Sequence, residues 1–123
     1  MKEESRYWFE QAQSDLRASQ HSLVSRDFDW SCFQAQQAVE KSFKSLYLER
    51  FADLKKVHDL VFLAQKLYVP VEYIEFCVWL NKVYIEARYP DVGGLIPAKR
   101  FSEDDSIPKD TNFQTYLLCP LYI

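Results

Sequence analysis

The sequence predicts an all-α fold, an up-and-down bundle of four main antiparallel helices followed by a short fifth element near the C-terminus. Two observations carry this prediction. The chain of 123 residues contains only two glycines, which are adjacent, so it lacks the many tight turns of a β-sandwich or barrel. Apolar residues instead recur at the spacing that places them on one face of a helix. Because 48% of the residues are hydrophobic, we expect a single domain over residues 1–123 with one core.

The first two helices are predicted at residues 3–24 and 29–50, with a turn at Arg26 and Asp27 between them. The apolar face of the first helix consists of Trp8, Ala12, Leu16, Ser19 and Leu23. The core face of the second helix consists of Cys32, Ala35, Val39, Phe43 and Leu46. Asp15 borders the first of these faces, and its spacing allows a pair either with a lysine of the second helix or with Arg88.

The third helix is predicted to begin at residue 55 or 56 and to end at Tyr68, ahead of Pro70. Its apolar face consists of Leu60, Leu63, Ala64 and Leu67. This start places His58 in the first turn of the helix. A histidine there is most often exposed and without chemistry, although any imidazole is able to act as a base near neutral pH.

The fourth helix, predicted at residues 71–88, is apolar on two sides. One stripe consists of Tyr73, Phe76, Cys77, Leu80, Tyr84 and Ala87, and the other of Ile74, Val78 and Ile85. Such a helix is central in its bundle or shared with another chain, so we expect self-association. Asn81 and Arg88 fall in the seam between the stripes, where a polar group needs a partner or an opening to water.

The C-terminal part carries weaker signals. Ser102 followed by three acidic residues is typical of a helix start, but Pro108 prevents a long continuation. Residues 113–123 are apolar, and we expect residues 102–123 to form a divergent tail that packs on another surface or is prone to association.

Composition and charge exclude several classes of function. The net charge of −3 provides no strong basic field for duplex DNA. No apolar run reaches membrane-spanning length and the N-terminus is charged, so we expect a cytoplasmic protein without membrane contact. An odd number of widely separated cysteines suits a reducing compartment, and two histidines without metal-ligand spacing predict neither metal nor cofactor.

The second helix presents a polar face whose purpose the sequence leaves open. Gln37, Glu40, Lys41 and Lys44 fall at helical spacing, with the aromatic residues Trp30 and Phe33 beside them. One interpretation is a solvated face with a Glu40–Lys44 ion pair worth about 0.3–0.5 kcal/mol. The other is a recognition surface, because amides both donate and accept hydrogen bonds and aromatic residues are enriched at interfaces. On the second interpretation we predict a partner interface formed by Trp30, Phe33, Gln37 and Glu40.

Arg88 at the end of the fourth helix also has two interpretations. It pairs with Asp91 or caps its own helix, or it binds phosphate through its planar guanidinium. In the second case Tyr89 stacks on a base, Asp91 orients Arg88, and Lys41 and Lys44 extend the positive side of the site.

These motifs together resemble the HEPN domain family (higher eukaryotes and prokaryotes nucleotide-binding). The resemblance covers about residues 3–101. The first helix carries the family pattern at Trp8, Ala12, Asp15, Leu16 and Ala18. The other matching segments are FQAQQAVEKSFK at residues 33–44, His58 with Leu60, and ARYPD at residues 87–91.

The resemblance implies a helical bundle that often forms homodimers and often pairs with a minimal nucleotidyltransferase encoded as a separate chain. Some branches of the family are metal-independent ribonucleases that act as toxins in toxin–antitoxin pairs. Their motif is an arginine followed, after four to six residues, by a histidine at the end of the fourth helix. Here the residues after Arg88 read YPDVGGLIPAK and contain no histidine. Arg50 and His58, which are separated by seven residues across a helix junction, do not replace the motif.

We therefore expect a non-catalytic HEPN-type subunit that pairs with a nucleotidyltransferase and binds nucleotide or RNA. Two alternatives remain open at this level. One is a metal-independent ribonuclease that uses Arg88 with an unrecognised base, and the other is a purely structural dimerisation module.

Overall fold

The computed structural model describes residues 1–53, 56–92 and 94–105, and within these ranges every regular element is helical. The elements are α1 (Glu3–Val24), α2 (Phe28–Phe51), α3 (Leu60–Lys66), a 3₁₀ turn (Val71–Tyr73), α4 (Ile74–Glu86), α5 (Pro97–Arg100) and a second 3₁₀ turn (Glu103–Asp105). This arrangement confirms the predicted all-α bundle of four main helices. None of these helices combines the length and apolar character needed to cross a membrane.

Small residues set the close packing of α1 against α2. The Ser19 hydroxyl donates to the carbonyl oxygen of Ser31 at 2.9 Å, and the Ser31 hydroxyl donates back to the carbonyl oxygen of Ser19 at 2.9 Å. Further along the same interface, the Ser45 hydroxyl donates to the carbonyl oxygen of Ser5 at 2.6 Å. Such side chains let two backbones approach closely, because the distance between helix axes depends on the residues at the contact. This explains why a serine lies in the apolar stripe of the first helix.

The central helix of the bundle is α2 rather than α4. Most of its residues from Ser31 to Leu48 are buried, with α1 on one side and α3 and α4 on the other. The main core joins Phe43 and Leu46 of α2 to Leu60, Leu63, Cys77 and Leu80 of the neighbouring helices. The apolar residues on two sides of α4 therefore do not mean that α4 is the central helix of the bundle.

The predicted start of the third helix is wrong, because α3 begins at Leu60. Asp59 is its N-cap, and the Asp59 carboxylate accepts from the backbone N–H groups of Val61 at 3.0 Å and Phe62 at 3.2 Å. Asn81 of α4 holds the same helix start, since its Oδ1 accepts from the Leu60 N–H at 2.8 Å and its Nδ2 donates to Asp59 at 2.9 Å. His58 consequently lies before the helix and not in its first turn.

The two predicted stripes of the fourth helix have different environments. Tyr73, Cys77 and Leu80 are buried in the core, whereas Val78 and Ile85 remain 55% and 48% exposed. Val83, which belongs to neither stripe, is also buried and packs with Cys32 and Phe101. The α-helix ends at Glu86, so Arg88 lies just beyond it.

The C-terminal elements depart from the prediction. The short helix α5 was not predicted, although Pro97 in its first turn suits a helix start. The predicted start at Ser102 yields only a 3₁₀ turn, in which the Ser102 N–H and hydroxyl both donate to the Asp105 carboxylate, at 2.9 and 3.1 Å. The prediction for the apolar tail concerns residues beyond 105, which lie outside the described part of the chain.

The burial of Cys77 predicts an unreactive thiol. Cys77 is fully buried, and burial raises the pKa of its thiol from the ordinary value to about 12, because the thiolate loses hydration. At neutral pH we expect iodoacetamide to leave Cys77 unmodified in the native protein and to label it in concentrated urea, as measured by peptide mass mapping. Rapid labelling of the native protein at Cys77 would show that this part of the core opens readily.

Candidate functional site

The polar face of α2 is not a solvated ion-pair surface. Glu40 and Lys44 do form the predicted pair, with 3.1 Å between Nζ and Oε2, but the two residues are only 5% and 6% exposed. The interpretation of this face as freely hydrated is therefore wrong for these two residues. A buried carboxylate needs further hydrogen-bond partners, which the surrounding side chains supply.

Three side chains hold the carboxylate of Glu40. In addition to Lys44, the Gln36 amide donates to Oε1 at 3.2 Å, and Nδ1 of His58 lies 3.1 Å from each carboxylate oxygen. Gln37 extends this network by donating to the side-chain oxygen of Gln36 at 2.7 Å. The predicted interface residues Gln37 and Glu40 thus belong to an internal network that reaches the surface at His58.

The two lysines predicted near phosphate are both bound to carboxylates. Lys41 forms an ion pair with Asp15 of α1, which decides between the two partners considered for Asp15. The ammonium of Lys44 lies 5.6 Å from the centre of the Trp8 ring in addition to its pair with Glu40. A phosphate that met either ammonium would have to compete with its carboxylate, so neither lysine is well placed to bind phosphate.

Arg88 is exposed and lies against two aromatic rings. Its guanidinium carbon is 4.8 Å from the centre of the Tyr84 ring and 5.6 Å from that of Tyr89. Within residues 1–53, 56–92 and 94–105 it forms no ion pair, either with Asp91 or with another carboxylate. Tyr89 and Asp91 are exposed beside it. A guanidinium supported by rings and without a carboxylate keeps its donors available to an incoming anion.

A cleft of about 540 Å³ joins Arg88 to the aromatic residues of α2. Trp30, which is 58% exposed, and Phe33 meet edge to face there, with ring centres 6.3 Å apart. The lining residues are Asp29, Trp30, Phe33, Ala87, Arg88, Pro90, Ile96, Pro97 and Ala98. Trp30, Phe33 and Arg88, which were predicted to belong to separate surfaces, therefore share one site.

Arg100 of α5 anchors the loop that forms one wall of this cleft. Its Nη1 donates to the carbonyl oxygen of Val92 at 2.9 Å, and its Nη2 lies 3.6 Å from the carboxylate of Glu86 on α4. The prediction missed this wall because it did not include α5, although Pro97 is a signal for the start of that helix.

His58 is the residue whose position differs most from the prediction. Its ring stacks on Tyr84 with 4.7 Å between ring centres and 20° between planes, and Arg88 contacts the same tyrosine. The imidazole and the guanidinium therefore lie less than about 10 Å apart, although the residues come from different segments. Only their shared contact with Tyr84 in three dimensions reveals this proximity, since no periodicity connects a loop residue to a helix end.

The comparison with protein families agrees with this architecture. The family model described as HEPN domain matches residues 5–106, which is most of the chain. This chain belongs to the HEPN domain family. This match confirms the family resemblance that was predicted from the second helix and the ARYPD segment. It assigns no role to any individual residue.

Two solved structures resemble this HEPN chain. The crystal structure of TT1696 from Thermus thermophilus has a TM-score of 0.78 and 34% identity, over 85% of each chain. The structure of ST0689, described as an archaeal HEPN homologue, has a TM-score of 0.71 and 28% identity, over 85% of this chain and 84% of that chain. The comparison with curated proteins gives no match.

Proposed function

We propose that this HEPN protein is a subunit that binds the phosphate-bearing part of a nucleotide or RNA at Arg88 and pairs with a minimal nucleotidyltransferase. The observation that carries this proposal is the exposed guanidinium of Arg88, which rests on Tyr84 and Tyr89 at the mouth of an apolar cleft. A guanidinium presents several N–H donors in one plane, and one that is not paired with a carboxylate can direct them to phosphate oxygens.

The aromatic wall of the cleft supports a nucleotide rather than a bare anion. Trp30 and Phe33 offer ring surface on which a base stacks, and base–aromatic stacking is worth about 1–3 kcal/mol per base. Ala87, Pro90 and Pro97 complete an apolar lining next to the cationic group. The lining also contains the acidic Asp29, so the cleft carries one group of each charge within mostly apolar walls. Mostly apolar walls with a few polar or charged groups are typical of small-ligand sites.

The exposed aromatic surface also supports a protein partner. Trp30 lies at the start of α2 and is more than half exposed to solvent, and large aromatic residues are enriched at interfaces. A nucleotidyltransferase that covers the cleft mouth would enclose a nucleotide between the two chains. The frequent pairing of HEPN chains with such enzymes favours this partner over others.

Self-association belongs to the same proposal. Val78 and Ile85 form an exposed apolar stripe along α4, at positions seven residues apart on one side of the helix. A second copy of the chain that covers this stripe gives a homodimer, which light scattering at micromolar concentration detects. A monomer under these conditions would contradict the dimer.

Tryptophan fluorescence tests binding at the cleft. We expect ATP to quench part of the emission, because a base stacks on Trp30. The variant Trp30→Phe keeps an aromatic wall and should bind ATP while losing most of the quenching; Trp79→Phe, a partly buried tryptophan outside the cleft, is the matched control. Equal quenching in the wild type and Trp30→Phe would place the ligand elsewhere.

One observation favours ribonuclease activity as a second candidate. No base for Arg88 is evident in the sequence, yet His58 lies near it, with Nδ1 held by the buried carboxylate of Glu40. A neutral imidazole in this position would accept the proton of an RNA 2′-hydroxyl as its oxygen attacks the adjacent phosphorus, and Arg88 would stabilise the phosphorane oxygens. The P–O5′ bond would then break as the protonated imidazole gives its proton to the departing 5′ oxygen. Cleavage of RNA without metal that disappears in Arg88→Ala and His58→Ala would support this candidate; cleavage that survives both changes would exclude the site.

A further inference from the structure

The network around Glu40 fixes the hydrogen-bonding role of His58. The Glu40 carboxylate is buried, and Lys44 and Gln36 hold it from the side of α2. Both of its oxygens lie 3.1 Å from Nδ1 of His58. A carboxylate only accepts, so this contact keeps the hydrogen of the imidazole on Nδ1.

The other ring nitrogen of His58 is left for a ligand. With Nδ1 carrying the hydrogen, Nε2 accepts when the ring is neutral and donates only when the ring is protonated. The side chain of His58 is 55% exposed although its partner carboxylate is buried. The exposed ring is thus held from behind by the protein interior, which is how a histidine is oriented toward solvent or a bound molecule.

The position of His58 relative to the cleft indicates how a bound nucleotide would be oriented. Arg88 lines the cleft beside Trp30 and Phe33, and it also contacts Tyr84, on which His58 stacks. His58 lies outside the cleft, but it is less than about 10 Å from the guanidinium, because both groups contact the Tyr84 ring. A nucleotide with its base in the cleft and its first phosphate at Arg88 would reach His58 by extending its remaining phosphates past that ring. The base would then lie in the cleft, the first phosphate at Arg88 and the terminal phosphate at His58.

We infer that protonated His58 is a second phosphate ligand, which holds the terminal phosphate of a nucleoside diphosphate or triphosphate bound at Arg88. This inference rests on the proposed function and names its ligand class. It assigns His58 the opposite protonation state from that required of a ribonuclease base. Binding should therefore weaken as the pH rises, whereas base-catalysed cleavage should become faster.

The groups that surround the imidazole include both signs of charge. Glu40 and Lys44 form the pair behind it, Tyr84 and Arg88 contribute from α4, and Lys56 and Asp59 flank it in its own segment. Nε2 donates only when the imidazole is protonated, so ligand binding is expected to depend on pH. The terminal phosphate of the ligand also titrates near pH 6 and gains charge as the pH rises, so variants must be compared at the same pH.

Isothermal titration without divalent cations tests the inference, with ATP and AMP as probes at about pH 6 and about pH 8. We expect the wild type to bind ATP about tenfold more tightly than His58→Gln at the lower pH, because one charged hydrogen bond is lost. The two proteins should bind ATP equally at the higher pH and AMP equally throughout. His58→Lys, which stays cationic, should keep tight ATP binding at both pH values.

Two negative results have different meanings. If Arg88→Ala weakens ATP binding but His58→Gln does not at either pH, the inference is overturned and the phosphate site at Arg88 stands. If Arg88→Ala binds ATP as tightly as the wild type, the proposed function fails and the inference fails with it. Thermal unfolding of each variant ensures that the comparison involves folded protein.

Discussion

Replacing Glu40 with alanine is expected to lower the free energy of unfolding by about 3–5 kcal/mol, because removal of one member of a buried ion pair leaves the other without compensation. The ammonium of Lys44, only 6% exposed, would lose its carboxylate while remaining against α1 and the Trp8 ring. His58 and Gln36 would lose their acceptor at the same time. Urea unfolding at neutral pH, followed by circular dichroism, measures the change.

Two variants sharpen this measurement. Glu75→Ala removes an exposed glutamate of α4 and should change stability by less than about 1 kcal/mol. The double variant Glu40→Leu with Lys44→Met removes both charges and should recover much of the lost stability, since apolar replacement of a buried pair is often neutral. Equal effects of Glu40→Ala and Glu75→Ala would mean that the pair is hydrated in solution.

Replacing Arg88 with alanine is expected to weaken nucleotide binding by about 10- to 100-fold, the effect of losing charged hydrogen bonds to phosphate. Arg88 is exposed and loses only its contacts with two tyrosine rings, so the free energy of unfolding should change by about 1 kcal/mol or less. Arg88→Lys keeps the charge but loses the planar fork and should show an intermediate loss. Isothermal titration with ATP measures all three proteins.

Arg17→Ala is the matched control for Arg88→Ala. Arg17 is an exposed arginine on α1 and does not line the cleft beside Trp30. Both substitutions remove one positive charge, so a general electrostatic effect would weaken binding equally in the two variants. A loss confined to Arg88→Ala assigns the effect to the site.

Local periodicity explains why the long helices could be predicted. The bounds of α1 agree with the prediction, and α2 differs by little at each end, because both helices carry continuous apolar stripes without glycine or proline. The start of α3 could not be found in this way. It depends on Asp59 and on Asn81 from another helix, and a tertiary hydrogen bond leaves no periodic signal.

The burial of Glu40 and Lys44 is a second feature that local sequence patterns do not predict. A glutamate and a lysine four residues apart are typical of a solvated helix face. Here they lie on the central helix, where neighbouring helices cover most sides, and that position follows from packing of the whole bundle. The same packing brings His58 beside Tyr84 and joins Trp30, Phe33 and Arg88 in one cleft.

Native mass spectrometry of the protein purified from its own host at moderate salt tests the central claim most directly. We predict a complex that contains a second chain with nucleotidyltransferase activity together with a retained nucleotide, and we predict that Arg88→Ala loses the nucleotide. A homodimer that carries neither a second chain nor a nucleotide would contradict the proposal and favour a purely structural dimerisation module.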